Sequence, residues 1–207
     1  YGYAQQARYT DLVGRATDAI QRVADERGLT LDELADRTVP TLGLDERGGK
    51  VLDFGPRQFQ IRLTPELAPL LTDGQGALLK TLPKPNRQDD ATLAKEAAAD
   101  WKDFKKQLQT VASAQVVRLE HAMCQQRRWS VAEFERFFVQ HPLLRGLVQR
   151  LVWAVFGADG ALHTTLRVAE ELEPVALDER VLDLHALPAD HRIGLPHPLE
   201  LPPALRQ

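Results

Sequence analysis

One cysteine, Cys124, stands in 207 residues. A lone thiol excludes an intramolecular disulfide framework and fits a reducing cytoplasm. Apolar runs are also short. None approaches the ~20 residues that a membrane span needs, and no secretory signal pattern is visible. Histidines are few and scattered, at His121, His141, His163, His185, His191 and His197. None forms a His-x-x-x-His pair and none joins Cys124 in a zinc spacing, so no metal is expected. Gly74-x-Gly76-x-x-x-Lys80 lacks the Walker spacing and lies between two strand-like runs, which makes it a hairpin turn and not a phosphate loop. No motif specifies a reaction or a cofactor, so no catalytic residue is assigned.

What is present belongs to an ordinary globular domain. Hydrophobic residues make up 43% and charged residues 27% of the chain, enough for a sizeable core. The net charge of −3 is unevenly spread. Residues 1–79 carry −3, residues 80–156 carry +5 and residues 157–207 carry −5. Basic helices set against acidic flanks of one fold would explain this, and so would a basic face for an anionic partner.

The chain is organised around residues 89–156, which hold Trp101, Trp129 and Trp153. A long helix is expected to start at Asp89-Asp90, where carboxylates suit free backbone N–H groups and the positive dipole end. Leu93, Ala97, Trp101, Phe104, Leu108, Ala112, Val116, Leu119 and Met123 recur every three or four residues, a helical stripe. The helix should end near Arg127-Arg128-Trp129. Ser130-Val131-Ala132-Glu133 is a capping box opening a second helix with Phe134, Phe137 and Phe138 inside. His141-Pro142 should open a third, apolar nearly all round, from Leu143 to Phe156 with Gly157 as its cap. The three tryptophans are expected to be core anchors, and Cys124 a small buried hydrophobe.

Before this spine, residues 9–28 read as an amphipathic helix with Tyr9, Leu12, Val13, Ala16, Ile20, Val23 and Ala24 on one side and Gly28 as its stop. Thr30-Leu31-Asp32-Glu33 caps a short helix ending before Pro40. Then come strands at Lys50–Phe54, Phe59–Leu63, Leu67–Leu71 and Ala77–Leu82, an antiparallel sheet of three or four strands. After the spine, Asp159-Gly160 marks a turn and Leu162–Val168 alternates as a strand, with Glu173–Leu177 and Val181–Leu184 as further candidates. The proline-rich tail excludes regular structure from Leu195 to Pro203. Pro203-Ala204-Leu205-Arg206 has the pattern of a helix start. The expected fold is α+β: a helical core flanked by small antiparallel sheets. Its expected parts are a helical segment over 1–45, the end of a longer helical region, and an α+β domain over 46–207. The chain begins with Tyr and is expected to be a piece of a longer polypeptide.

Several landmarks carry a resemblance. Gln115-Val116-Val117-Arg118-Leu119-Glu120, Arg128-Trp129, His141-Pro142 and Leu151-Val152-Trp153 lie in the spine. Leu82-Pro83-Lys84-Pro85 precedes them, and Ile193-Gly194-Leu195-Pro196-His197-Pro198 follows. Together they resemble the bacterial MolR-like family, domain of unknown function 4132, over about residues 60 to 201. The resemblance implies a domain that forms one part of a much longer protein. It implies no established activity. The family name suggests molybdate regulation, but no residue pattern here marks an oxyanion pocket.

Two side-chain groups invite a functional reading. Lys80, Lys84 and Arg87 sit just ahead of the long helix, and Arg127 and Arg128 sit at its end. An anion or nucleic-acid site would draw on these cations, with affinity that falls steeply with salt. Arg118, Glu120 and His121 make a polar group near the helix end, either an internal network or the centre of an enzyme of unrecognised class. The leading expectation is a non-catalytic regulatory or interaction module of a larger cytoplasmic protein. Its partners would be other domains of the same polypeptide or another protein, with no membrane involved.

Overall fold

A computed structural model describes the backbone of residues 2–176 and 178–201, and side chains from residue 14 onward. The chain divides into two compact units, Tyr1–Val39 and Pro40–Gln207. The first holds helices α1, Gly2–Glu26, and α2, Leu31–Arg37. Gly28 takes φ +63° just past α1, the left-handed backbone that ends helices and that glycine adopts without a Cβ penalty. Thr30 and Glu33 cap α2 reciprocally, as their spacing predicts. The side chains of Tyr9, Leu12 and Val13 and the segment Pro203–Arg206 lie outside the described residues.

The second unit opens with a four-stranded antiparallel meander, β1 (Lys50–Asp53), β2 (Gln58–Leu63), β3 (Pro69–Thr72) and β4 (Leu78–Leu79). Alternation places Phe59 and Ile61 inside and Gln60 and Arg62 outside. The long helix α3 spans Ala91–Cys124, ~51 Å at 1.5 Å per residue. Asp90 caps it, accepting from the N–H groups of Thr92 and Leu93. Its near end packs on β1.

The buried stripe of α3 keeps Ala97, Trp101, Phe104, Leu108 and Leu119 of the expected one and departs from it at Leu93 and Val116. Ala94, Ala97, Phe104, Leu108, Gln115, Leu119 and Ala122 are buried, and Trp101 and Val111 are half-buried. From Ala94 to Ala122 these positions average 3.5 residues, slightly short of the 3.6-residue turn, so the stripe winds slowly around the helix. Leu93 and Val116 face outward instead, and so does Cys124. Counting apolar residue types misses this, because a glutamine takes one inner place.

After α3 the outcome differs most. Its C-terminus closes in a Schellman turn: Arg127 N–H donates to Ala122 O at 2.8 Å and Gln126 N–H to Met123 O at 3.1 Å. The next residues are strand β5, Arg128–Trp129. Helix α4, Val131–Phe134, starts on the expected capping box and runs into a π-helical turn, Glu135–Val139. His141-Pro142 opens a turn that leads into the short helix α5, Arg145–Gln149. Val152 to Phe156, expected as helix, instead ends in strand β6, Trp153–Phe156, every residue of it buried. Period alone cannot separate a buried helix from a buried strand; valine and aromatic content decides here. Gly157 consequently sits in the turn to β7, Leu162–Val168, and caps no helix. β8 (Pro174–Ala176) and β9 (Arg192–Gly194) complete a second antiparallel sheet in the order β5-β9-β6-β7-β8. Val181 makes only an isolated bridge with Val175, and Leu184–Ala186 is a 3-10 turn. The fold is α+β, with β5 and β6 taking part of what reads as helical core.

One core lies between this sheet and the helices. Trp129, Phe134, Phe138 and Trp153 meet ring to ring, with Trp153 4.8 Å from Phe134 and 5.5 Å from Phe138. The Trp153 indole N–H donates to Val148 O at 3.1 Å. Trp129 and Trp153 are the expected anchors; Trp101 is only half-buried, stacked near Phe104 with Lys105 over its ring.

Replacing Trp153 by Ala should destabilise the second unit by about 3–5 kcal/mol, readable as a lower urea midpoint. Gln126 occupies φ +52°, so Gln126→Gly should add up to about 1 kcal/mol. An unchanged or lower melting temperature would contradict that reading of the turn.

Candidate functional site

The start of α3 is clasped to the first sheet. Asp90 N–H donates to Phe54 O at 3.0 Å. Asp89, its side chain fully buried, takes a fork from Arg57: Nε to Oδ1 at 2.9 Å and Nη2 to Oδ2 at 2.5 Å. Asn86 N–H adds a third bond at 2.7 Å. Arg57 also lies over the Phe54 and Phe59 rings. The partner of the acidic helix start is thus Arg57, in the connection between β1 and β2. Lys80, Lys84 and Arg87 are exposed. They flank a helix end whose donors Asp90 already fills.

Arg127 and Arg128 lie beyond the other end of α3, ~51 Å away along its axis. The five cations therefore do not form one patch. Arg127 stacks over Trp129 at 5.2 Å. Arg128 lies 3.9 Å over the Phe156 ring and donates to Gly160 O at 3.1 Å. It crosses β9 at Gly194, where a Cβ would stand 3.0 Å from Arg127 O and 3.2 Å from the Arg128 side chain. Arg128 is committed to packing.

The polar group near the helix end also separates. Arg118 is half-buried; its Nε donates to Gln115 Oε1 at 2.8 Å and its guanidinium lies over Phe138. Glu120, two residues on, is exposed on the other side of the helix. His121 is exposed and pairs with Gln125. These three side chains share no cavity. Among the described residues no cluster of three or more metal-ligating side chains occurs.

The structure assembles a different group. Arg47, Arg62 and Arg145 line a cavity of about 170 Å³ floored by Leu67 and Leu143. Arg47 belongs to the turn built by Asp45, whose Oδ1 accepts from Arg47 N–H and Gly49 N–H at 2.8 Å each. The Gly49 bond above all holds the Asp45 carboxyl below its usual range, burial opposing and the Arg47 bond and the charges of Arg47 and Arg145 assisting. Arg62 is on the outer face of β2, and Arg145 opens α5. The three come from segments far apart in sequence, so no local spacing reveals them. The only linear hint is the Gly48-Gly49 turn.

The Arg57 fork holds the Asp89 carboxyl below its ordinary value, with burial opposing and Asn86 N–H assisting. A lowered folded value means that the stabilisation is fully present above about pH 4. It is lost as pH falls through the folded value. Asp89→Asn should therefore melt below the unaltered protein near neutral pH, with the gap closing in acid. Melting curves between about pH 3 and about pH 7 check this; a gap independent of pH would refute it.

Comparison with known proteins places the chain in a family. The uncharacterised protein YehI of Escherichia coli (strain K12) is 42% identical over 205 residues, which cover 98% of this chain and 17% of that protein. The chain thus spans about a sixth of the length of that relative. No solved structure matches. The family model described as Domain of unknown function (DUF4132) matches residues 76–207. That span holds α3, both tryptophans of the aromatic core and the whole second sheet, and the chain belongs to the DUF4132 family.

Proposed function

We propose that this chain is a non-catalytic interaction module of a longer, cytoplasmic bacterial polypeptide, with a regulatory role. In this reading residues 1–45 end a longer helical region, and residues 46–207 form the family domain. The partner is another part of the same polypeptide. The observation that carries the proposal is an exposed apolar stripe on α1. Ala16, Ile20 and Val23, spaced four and three residues apart, are all exposed, Ile20 to 53% and Val23 to 39%. A helical stripe of this kind is the surface that helices bury against one another. The alignment to a small share of a much longer relative supplies the context. No helix among the described residues is long and apolar enough to cross a membrane.

The test uses the long polypeptide and the 207-residue chain side by side. Ile20→Asp with Val23→Asp should leave the short chain's stability within about 0.5 kcal/mol, as surface changes do. In the long polypeptide the same pair should speed proteolytic release of this region. Equal cleavage with and without the changes would remove the reading. The competing anion-binding reading gives a different result. DNA, RNA or molybdate, the last suggested by the MolR-like designation, would then raise the melting temperature at low salt. That rise would disappear in a Lys80→Gln, Lys84→Gln, Arg87→Gln variant.

A further inference from the structure

We propose that the cavity between the Asp45 turn, the β2–β3 connection and the start of α5 is a binding site for a phosphoryl oxyanion, held by Arg47, Arg62 and Arg145. Three arginines line the cavity and no acidic residue does. Asp45, held by the N–H groups of its own turn, attracts Arg47 and Arg145 from beside the cavity, and Glu66 is bonded by Thr64 and drawn by Arg150. Three cations set against that one carboxylate leave the recess positive, which favours an anion.

Arg145 anchors through Nη2 to the carbonyl oxygens of Glu46 and Gln140, while its Nε is buried without a partner. Burial weakens its hold on the proton, and Asp45 only partly offsets this. Carbonyl dipoles orient the guanidinium without neutralising it. A phosphoryl group would supply the missing charge, and guanidinium forks match its oxygens geometrically.

The walls are fixed before any ligand arrives. A Cβ on Gly48, itself at φ +76°, would stand 3.2 Å from Pro142 O. One on Gly146 would stand 3.2 Å from Pro65 Cα. The three segments therefore touch backbone to backbone, and the arginines project from rigid rims. About 170 Å³ accommodates a phosphate group, with anything attached to it lying outside the mouth.

Calorimetric titration of the 207-residue chain with inorganic phosphate and with phenyl phosphate, at constant ionic strength, tests the assignment. Saturable one-to-one binding is expected. Arg47→Gln and Arg62→Gln should each weaken it by about tenfold or more. Arg87→Gln, an exposed cation outside the cavity, should bind as the unaltered protein does. Arg145→Gln also removes the anchors to Glu46 and Gln140, so the test relies on the other two arginines, whose side chains hold no backbone group. Tighter binding of phenyl phosphate would identify a phosphoryl group carried on a larger molecule. Equal or tighter binding of inorganic phosphate would identify the free anion. No saturation by about 10 mM of either probe, or an equal loss in Arg87→Gln, would overturn the site.

Discussion

One helix has to serve two sheets with one stripe of residues. Near its start α3 lies on the first sheet, and near its end Arg118 reaches Phe138 beside the second. A 3.5-residue repeat falls short of the 3.6-residue turn by about 20° per heptad, so the buried positions wind about 80° around the helix between Ala94 and Ala122. The two ends of the helix therefore bury different sides. The ends are then pinned by different chemistry: a buried arginine–carboxylate fork at Asp89, and a left-handed Gln126 that turns the chain directly into β5. The placement of both sheets follows from those two fixtures.

Much of this architecture was legible because its signals are local. Alternation in β2 and β7, the capping boxes of Thr30 and Ser130, and the Gly74–Gly76 and Asp159 turns each report on their own few residues. β6 was not, because it has no period to read. Val152-Trp153-Ala154-Val155-Phe156 is apolar without a break, and its residues pair with β7 and β9. β9 is shorter still. Its glycine is needed for the crossing of Arg128, a reason that exists only in three dimensions. The inner glutamine of α3 was missed for the same cause: Gln115 is tolerated inside because Arg118 satisfies its oxygen.

The family's recognisable residues are largely packing residues. Arg128-Trp129, Trp153 and Ile193-Gly194 converge on the second sheet and its aromatic cluster. Sequence likeness of that kind reports the fold and says little about chemistry. The cations that stand out along the chain at 80–87 and 127–128 are divided by the length of a helix, whereas the arginines that meet are 83 residues apart between Arg62 and Arg145. Charge gathered by topology leaves no trace in a linear pattern.

The strand order of the second sheet also sets a timetable. β9 is the last strand of that sheet to be synthesised, yet it lies between β5 and β6. Until residue 194 has left the ribosome, those two strands have open inner edges and the aromatic residues behind them have an incomplete cover. The five-stranded sheet is therefore completed by insertion, not by stepwise growth from one side. Loop-closure entropy makes such a step slow, and unpaired edges invite contact with other chains in the interval. A nascent chain of this protein is most exposed to misassembly just before its final strand arrives.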